Sequence, residues 1–310
     1  MIMYYKTIEE ELKELEQFEE GAWVNAVNPT EEEILQICDM LHIEQEFVRP
    51  ALDEEERSRI EAENGATMIL VDIPMVVVEG KRNVYSTLPL GIVLTRDAIL
   101  TVCLRDNPIL GDFIVKRIRN FFTQFKSRFV LQILYKNATF YLYYLRHIEK
   151  ITTKIENDLQ QSTKNKELTQ LLKLEKSLVY FSTSLKSNEI VLEKMMKLEH
   201  VKKYPEDQEL LEDVIIENRQ AIEMTNIHSS ILSGLMDAFA SIISNNLNVT
   251  MKNLTNITIA ISIPTMVASF FGMNVPNPFE DTPWAFPLIL VGSVALTAGM
   301  MYWLLRRKLF

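Results

Sequence analysis

The chain has 310 residues and a formal net charge of −10. This acidity excludes the basic surface typical of nucleic-acid-binding proteins, so no nucleic-acid partner is predicted. The two cysteines lie far apart in sequence and the four histidines are isolated, which predicts buried reduced thiols and no transition-metal site. The sequence contains no phosphate-binding loop, no cofactor motif and no pairing of a histidine with a nucleophile. We therefore expect neither an enzyme nor a bound cofactor.

Short β-rich runs alternate with acidic helical stretches from about Ala22 to Leu104. The runs read AWVNAV, ATMILVDIPMVVVE, TLPLGIVLT and AILTVCL, and they predict a mixed sheet. Thr30 and Glu33 are spaced as a capping box that would begin a helix. Residues 1–110 are thus predicted to form an α/β domain, which gives the cytoplasmic part an α+β fold class.

Long helices are predicted next. Residues 111–204 contain no proline and carry apolar positions at helical spacing, as expected for antiparallel helices. From Pro205 the chain runs without another proline to Pro264, which predicts a stalk helix over residues 205–247 that continues into the following apolar segment. Such a helix would be about 65 residues, or roughly 100 Å, long and could transmit a cytoplasmic change to the membrane.

Two uncharged segments close the chain, Leu254–Phe271 and Trp284–Leu305. Each has about the 20 residues that a helix needs to cross a bilayer. A pair of buried core helices is the alternative, but the basic residues 306–308 and the aromatic residues near both ends of the second segment favour membrane helices. We predict a transmembrane domain over 248–310, with spans at about 250–271 and 284–305, a connecting loop at 272–283 and a tail at 306–310.

The basic tail places both termini in the cytoplasm by the positive-inside rule, so the connecting loop with Glu280 and Asp281 would face outside.

Polar residues follow one face of the first predicted span. Their separations of seven, three, four, three and four residues match an α-helix, and they are Asn248, Thr255, Thr258, Ser262, Thr265 and Ser269. Such a face requires either water or another helix beside it, and both interpretations remain open. The face contains no carboxylate, which suits a cation that keeps its own water shell, as Mg²⁺ tends to do.

The segment IPTMVASFFGMN, Ile263 to Asn274, precedes a short loop and a last span with a basic end. In this arrangement the chain resembles the CorA family of magnesium channels and transporters. The resemblance implies that Gly272 permits a tight turn, that Met273 holds the loop, and that Asn274 presents its oxygen to a hydrated ion as the selectivity site. Phe271 departs from the family pattern, which commonly has tyrosine before GMN.

The same resemblance implies a funnel-shaped homopentamer in the inner membrane of the cell, in which the first spans line a pore. Asn248 then falls at the inner polar ring, and Met251 and Leu254 fall at an apolar constriction. Ser262 and Thr265 would line the pore further out. Glu280, in the acidic loop with Asp281, would concentrate cations at the mouth.

Regulation is also implied by the resemblance. Members of the family close when cytoplasmic Mg²⁺ binds between neighbouring subunits, and Asp213 matches one of the carboxylates involved. Its partner position aligns with Pro50, a departure for which Asp53 and Glu54 are the nearest substitutes. Mg²⁺ would thus be both the substrate and a regulatory ligand.

Two alternatives accompany this interpretation. Zinc transporters of the ZntB type share the layout and the GMN motif, and Co²⁺ and Ni²⁺ are also transported in the family. A membrane-anchored coiled-coil sensor or scaffold is the other alternative, although it leaves the acidic loop after GMN without an explanation.

Overall fold

The structure is a computed structural model that describes residues 1–79, 82–115, 117–118, 121–159, 165–197, 204–273 and 284–306. The chain divides into two compact units, Met1–Leu235 and Met236–Phe310. The first unit contains a mixed sheet with helices, and the second contains the two apolar helical segments. The predicted α+β fold class with a long helix and two apolar helices is confirmed.

A seven-stranded sheet forms the centre of the first unit, in the order β2-β1-β3-β7-β6-β5-β4. Neighbouring strands are antiparallel except β3 and β7, which run parallel. The strands are β1 Ile2–Ile8, β2 Glu11–Leu15, β3 Trp23–Val27, β4 Arg59–Glu63, β5 Ala66–Glu79, β6 Arg82–Leu94 and β7 Ile99–Cys103. The mixed sheet was predicted, but β1, β2 and β4 were not among the predicted runs.

The α-helices of the described residues are α1 Glu31–Leu41, α2 Pro108–Ile114, α3 Lys126–Leu159, α4 Asn165–Met195, α5 Pro205–Phe271 and α6 Ala285–Arg306. Two short 3-10 turns, Gln45–Phe47 and Arg49–Leu52, precede β4. The capping box predicted for α1 is present: the Thr30 amide donates to Glu33 Oε2 at 2.9 Å and the Glu33 amide donates to Thr30 Oγ1 at 3.3 Å. The domain boundaries at residues 110, 204 and 247 stay predictions.

Each face of the sheet carries its own hydrophobic core. One face packs against α1 and the two 3-10 turns, and this core contains Cys38. The other face packs against α2, α3, the end of α4 and the beginning of α5, around the fully buried ring of Trp23. Cys103 lies in this second core, so both cysteines are buried free thiols, as predicted.

Two glycines have structural reasons for their positions. Asn64 and Gly65 form the two-residue turn between β4 and β5, with φ angles of 51° and 82°, as a tight hairpin with this dipeptide requires. Gly91 lies in β6 where the second 3-10 turn crosses the sheet. A Cβ atom at residue 91 would lie 2.7 Å from Cβ of Ala51, so no larger side chain fits without movement.

Candidate functional site

Two segments of the described residues are long and apolar enough to cross a membrane, judged by length and composition. One lies within α5 and the other is Phe286–Trp303 within α6. Both are almost entirely exposed in the single chain, unlike core helices of a soluble protein. Their surroundings must therefore be supplied by lipid or by other chains.

Helix α5 presents two different faces in this region. The less exposed face consists of Asn256, Ile259, Ala260, Ile263, Pro264 and Val267. At about 100° per residue, the centres of this face and of the polar face predicted from sequence are about 140° apart around the helix. Pro264 shares an apolar groove with α6 residues Val294, Thr297, Ala298, Met301 and Tyr302. The second span therefore lies on the apolar side of α5.

The predicted polar face is exposed along its whole length, from Asn248 to Ser269. A separate groove runs along it, lined by α5 residues Thr258, Ile261, Ser262, Thr265, Met266 and Ser269. Small hydroxyl residues that do face the other span occur on α6, where Ser293 is buried and Thr297 is half-buried. Within one chain, the contact between the two spans thus includes these α6 residues, and the polar face of α5 stays uncovered.

Four hydroxyl groups of this face share one hydrogen-bond pattern. Each donates its hydrogen to the backbone carbonyl four residues earlier: Thr255 to Met251 at 2.8 Å, Thr258 to Leu254 at 2.9 Å, Ser262 to Thr258 at 2.7 Å and Thr265 to Ile261 at 2.8 Å. A hydroxyl has one hydrogen and two lone pairs, so each oxygen keeps acceptor capacity toward the groove. Thr258, Ser262 and Thr265 therefore present neutral hydrogen-bond acceptors to the groove, which Ile261 and Met266 also line.

The remaining predicted pore residues are only partly described. Asn248, Met251 and Leu254 are exposed on α5. Gly272 and Met273 follow the helix directly, and the Gly272 amide donates to the Ala268 carbonyl at 2.9 Å, which closes the last helical turn. Asn274, Glu280 and Asp281 lie outside the described residues, and so does the connecting loop after residue 273.

The predicted regulatory carboxylates are all exposed in the single chain. Asp213 lies on α5 within the first unit, whereas Asp53 and Glu54 lie in the turn before β4. Asp53 Oδ1 accepts a hydrogen bond from the Glu55 amide at 3.0 Å, and Glu54 Oε1 lies 3.7 Å from Arg105 Nη2. Within the described part of one chain, no group of three or more His, Cys, Asp and Glu residues could hold a metal ion. A site between neighbouring chains stays a prediction.

Sequence reasoning did not assign Asn256, a polar residue of the first span. It lies on the less exposed side of α5 and is 8% exposed, and its Nδ2 has no hydrogen-bond partner among the described residues. An amide inside an uncharged apolar segment, out of phase with the other polar residues, was the signal that could have revealed it. Its burial shows that the two faces of the helix differ in packing as well as in polarity.

Comparisons with known proteins agree with this architecture. The family described as CorA-like Mg²⁺ transporter protein matches residues 18–307. The chain is 25% identical over 293 residues to the cobalt/magnesium transport protein CorA of Methanocaldococcus jannaschii, a match that covers 90% of this chain and 88% of that protein. The complete structure of the CorA magnesium transporter of the same organism superposes with a TM-score of 0.80 at 23% identity, covering 99% of this chain and 98% of that one.

A more distant structure shares the fold over a smaller part of the chain. It is the cytoplasmic domain of ZntB from Vibrio parahaemolyticus, with a TM-score of 0.60 at 11% identity, covering 79% of this chain and 97% of that domain. The chain thus combines a large α+β unit with two helical segments that are long and apolar enough to cross a membrane. Because the family match extends over most of its length, the chain belongs to the CorA-like family of divalent metal-ion transporters.

Proposed function

We propose that five copies of the chain form a passive pathway for Mg²⁺ across the cytoplasmic membrane, with the polar face of α5 as its wall. The observation that carries this proposal is the uncovered face from Thr255 to Thr265, whose hydroxyl hydrogens are all used inside the helix. Mg²⁺ dehydrates reluctantly, and its bound waters point their hydrogens outward. Neutral oxygen acceptors can hold those waters without binding the metal itself.

Selectivity in this proposal belongs to the segment Gly272–Asn274 at the outer end of α5. Asn274 offers an amide oxygen to the hydrated ion, Gly272 lets the chain leave the helix, and Met273 holds the loop. Glu280 and Asp281, placed outside with both termini in the cytoplasm, would raise the local concentration of cations. An inside-negative potential favours entry of each charge by about 2.3 kcal/mol per 100 mV, so a divalent ion needs no ATP to enter.

Feedback closure by intracellular Mg²⁺ is the second part of the proposal. Asp213 of one copy would face Asp53 and Glu54 of its neighbour, and Mg²⁺ would bridge the two copies through carboxylate oxygens. The exposure of Asp213, together with that of Asp53 and Glu54, supports such a site, because none of them is covered within its own chain.

Zinc transport coupled to protons is the second candidate function. The observation that favours this candidate is the fold likeness between the chain and the cytoplasmic domain of ZntB. Cobalt is a further candidate substrate, since the relative from Methanocaldococcus jannaschii is named for cobalt as well as magnesium.

Ion flux into liposomes that contain the purified chain tests the proposal. Mg²⁺, Co²⁺, Ni²⁺ and Zn²⁺ would be compared with and without cobalt hexaammine, a mimic of a fully hydrated ion, and with and without a proton gradient. We expect Mg²⁺ entry that the mimic blocks and that does not respond to protons. Zn²⁺ entry driven by the proton gradient would instead assign the chain to the zinc branch.

Three variants complete the same experiment. Asn274→Ala should abolish most of the flux, whereas Asn253→Ala, the same change on the side of α5 away from the polar face, should leave it unchanged. Asp213→Ala should weaken inhibition by Mg²⁺ enclosed in the liposomes. Equal flux from Asn274→Ala and the original chain would refute the selectivity role, and unchanged inhibition in Asp213→Ala would remove the regulatory site.

A further inference from the structure

An apolar groove lies between the two candidate spans, apart from the polar face of α5. It is lined by Pro264 of α5 and by Val294, Thr297, Ala298, Met301 and Tyr302 of α6. Its volume is about 500 Å³, within the range of pockets that take small molecules. The hydroxyl hydrogen of Thr297 is already donated to the Ser293 carbonyl at 2.8 Å, so most of the groove offers little to a polar ligand. The part of an occupant that fills it is therefore expected to be apolar.

The position of the groove along α6 corresponds to one half of a bilayer. The candidate span is Phe286–Trp303, so its middle falls near Val294. At 1.5 Å per residue, the helix rises about 12 Å from Val294 to Tyr302 and about 18 Å from Val294 to Arg306. Half of a hydrocarbon core is about 15 Å thick. The groove thus begins near the middle of the membrane, and Arg306 lies just beyond the interface at its other end.

The groove opens away from the contact between the two spans. Val294, Ala298 and Met301 are separated by four and three residues, which places them on one side of α6. Alanine between two longer side chains leaves a depression there. All three residues are exposed in the single chain, so the depression is open to whatever surrounds the helices.

Polar and basic groups lie at the interface end of the groove. Tyr302 is 65% exposed, and a tyrosine at this depth can keep its ring among acyl chains and its hydroxyl among headgroups. Arg306 is exposed in the last turn of α6, four residues after Tyr302, so the two residues share a side of the helix. A guanidinium group binds phosphate through paired hydrogen bonds. This end therefore suits a phosphate.

The sequence around Arg306 is basic, although the whole chain has a formal net charge of −10. Arg307 and Lys308 follow it, beyond the described residues. From Leu254 onward the sequence has two acidic residues, Glu280 and Asp281, and both precede α6. A groove that is apolar along its length and ends at a basic group is complementary to a hydrocarbon chain with an anionic head.

We propose that this groove binds one acyl chain of an anionic phospholipid, with the phosphate at Arg306 and Tyr302. In the topology proposed for the chain, this lipid belongs to the cytoplasmic leaflet, whose anionic lipids attract basic residues next to a span. The lipid would touch Pro264 and α6 together and so support the packing of one span on the other. The proposal rests on insertion of α5 and α6 into a membrane and does not depend on which ion passes.

A helix from a neighbouring copy is the other occupant that an apolar lining would accept. Such a helix brings apolar side chains but no acidic group for Arg306, because neither candidate span of this chain contains Asp or Glu. The basic end of the groove therefore favours the lipid.

Native mass spectrometry of the purified full-length complex tests the lipid site. Phosphatidylglycerol and phosphatidylcholine with identical acyl chains are the probes, and we expect the anionic lipid to bind severalfold more tightly. Arg306→Gln should remove this preference while both lipids still bind. Ala298→Leu fills the groove and should weaken the binding of both lipids severalfold. Gly299→Leu is the matched control and should change neither, because residue 299 does not line the groove and an added Cβ atom there meets nothing within 4 Å.

Equal binding of the two lipids to the original chain would overturn the proposal, and so would unchanged binding in Ala298→Leu. A preference that persists in Arg306→Gln would refute the role of Arg306. The same spectra count the protein copies. If the original chain retains neither lipid and Ala298→Leu lowers the number of copies, the groove is an interface between copies and the lipid site is refuted. Ion flux is not measured, so none of these results bears on the proposed transport function.

Discussion

Gly91 illustrates how one residue sets the spacing between a strand and the chain above it. The second 3-10 turn places Ala51 directly over β6, and there is no room for a Cβ atom on residue 91. Gly111, on α2, is the opposite case, because an added Cβ atom there meets nothing within 4 Å. The two glycines form a matched pair.

Gly91→Ala should therefore destabilise the first unit by about 1–3 kcal/mol, the usual effect of overpacking a filled core. Gly111→Ala should be neutral or stabilising by up to about 1 kcal/mol, since alanine favours a helix more than glycine does. Thermal unfolding of the purified chain in detergent measures both. A melting temperature of Gly91→Ala equal to that of the original chain would show that the turn over β6 can move freely.

Local pairs were predictable at the scale of the residue. Thr30 and Glu33 are three residues apart, and their capping box follows from helix geometry alone. The hydrogen bond that the Asp72 amide of β5 donates to Asn188 Oδ1 of α4 was not predictable, because the two residues are 116 apart in sequence and meet only after α4 has packed on the sheet. An asparagine in a helix and an aspartate in a strand give no local sign that they will meet.

At the scale of the element, α5 carries two environments along one helix. Its apolar side lies against α6, and its polar side is uncovered in the single chain. The hydroxyls on the polar side resemble Thr297 of α6 in hydrogen bonding, because Thr297 also donates to the carbonyl four residues before it, at 2.8 Å. Thr297 differs from them because it faces α5, in the groove that it shares with Pro264.

This similarity provides a controlled test of the proposed pore wall. Thr258→Val keeps the shape of the side chain and removes its oxygen, so in a pentamer it removes a ring of five acceptors. Losing even ~1.4 kcal/mol in stabilisation of the passing ion corresponds to about tenfold slower Mg²⁺ flux. Thr297→Val makes the same change on the packing side and should leave the flux within about twofold. Equal effects of the two substitutions in the liposome assay would contradict the assignment of the faces.

Strands with strong apolar patterning were predictable, and weakly patterned ones were not. β5, β6 and β7 are rich in Val, Ile and Leu because they are central and buried. β2 has the sequence ELKEL and β4 has RIEAE, both mostly charged, as edge strands often are. The charges that protect these edges also conceal the strands from pattern-based prediction.

At the scale of the whole molecule, the apolar helices require partners that one chain does not contain. Lipid can cover leucine and valine side chains, but an uncovered row of hydroxyls and an amide calls for water or protein at the centre of a membrane. Association of several copies around a shared axis satisfies this requirement. The family resemblance implies five copies.

The mass of the purified complex in detergent measures this directly. We expect a particle with a protein mass of five chains of 35.9 kDa each, determined by light scattering with the detergent contribution subtracted. The same mass should be found for Asn274→Ala and for Thr258→Val, which would attribute their loss of flux to the pathway and not to assembly. A stable monomer that still conducts Mg²⁺ would exclude a shared axis.

The order of the main parts was predictable because each has a distinct residue pattern. The sheet has alternating β-rich runs, the long helices have a proline-free stretch, and the candidate spans have uncharged segments. The side of α5 that meets α6 was harder to assign. Small hydroxyl residues such as Ser262 and Thr265 are equally common at helix contacts and in polar channels. Three-dimensional packing was needed to assign the contact within one chain, since it places Pro264 and not Ser262 beside the second span.

The hydrogen bonds of Thr255, Thr258, Ser262 and Thr265 have a further consequence for a pathway built on this face. Each of these four hydroxyls turns its hydrogen inward, so at these positions the wall shows only the negative ends of its dipoles. Chloride that passes these four positions would meet hydroxyl oxygens and find no hydroxyl hydrogen to solvate it. Exclusion of anions along this stretch then requires no formal charge, and it persists at any pH because serine and threonine hydroxyls do not titrate.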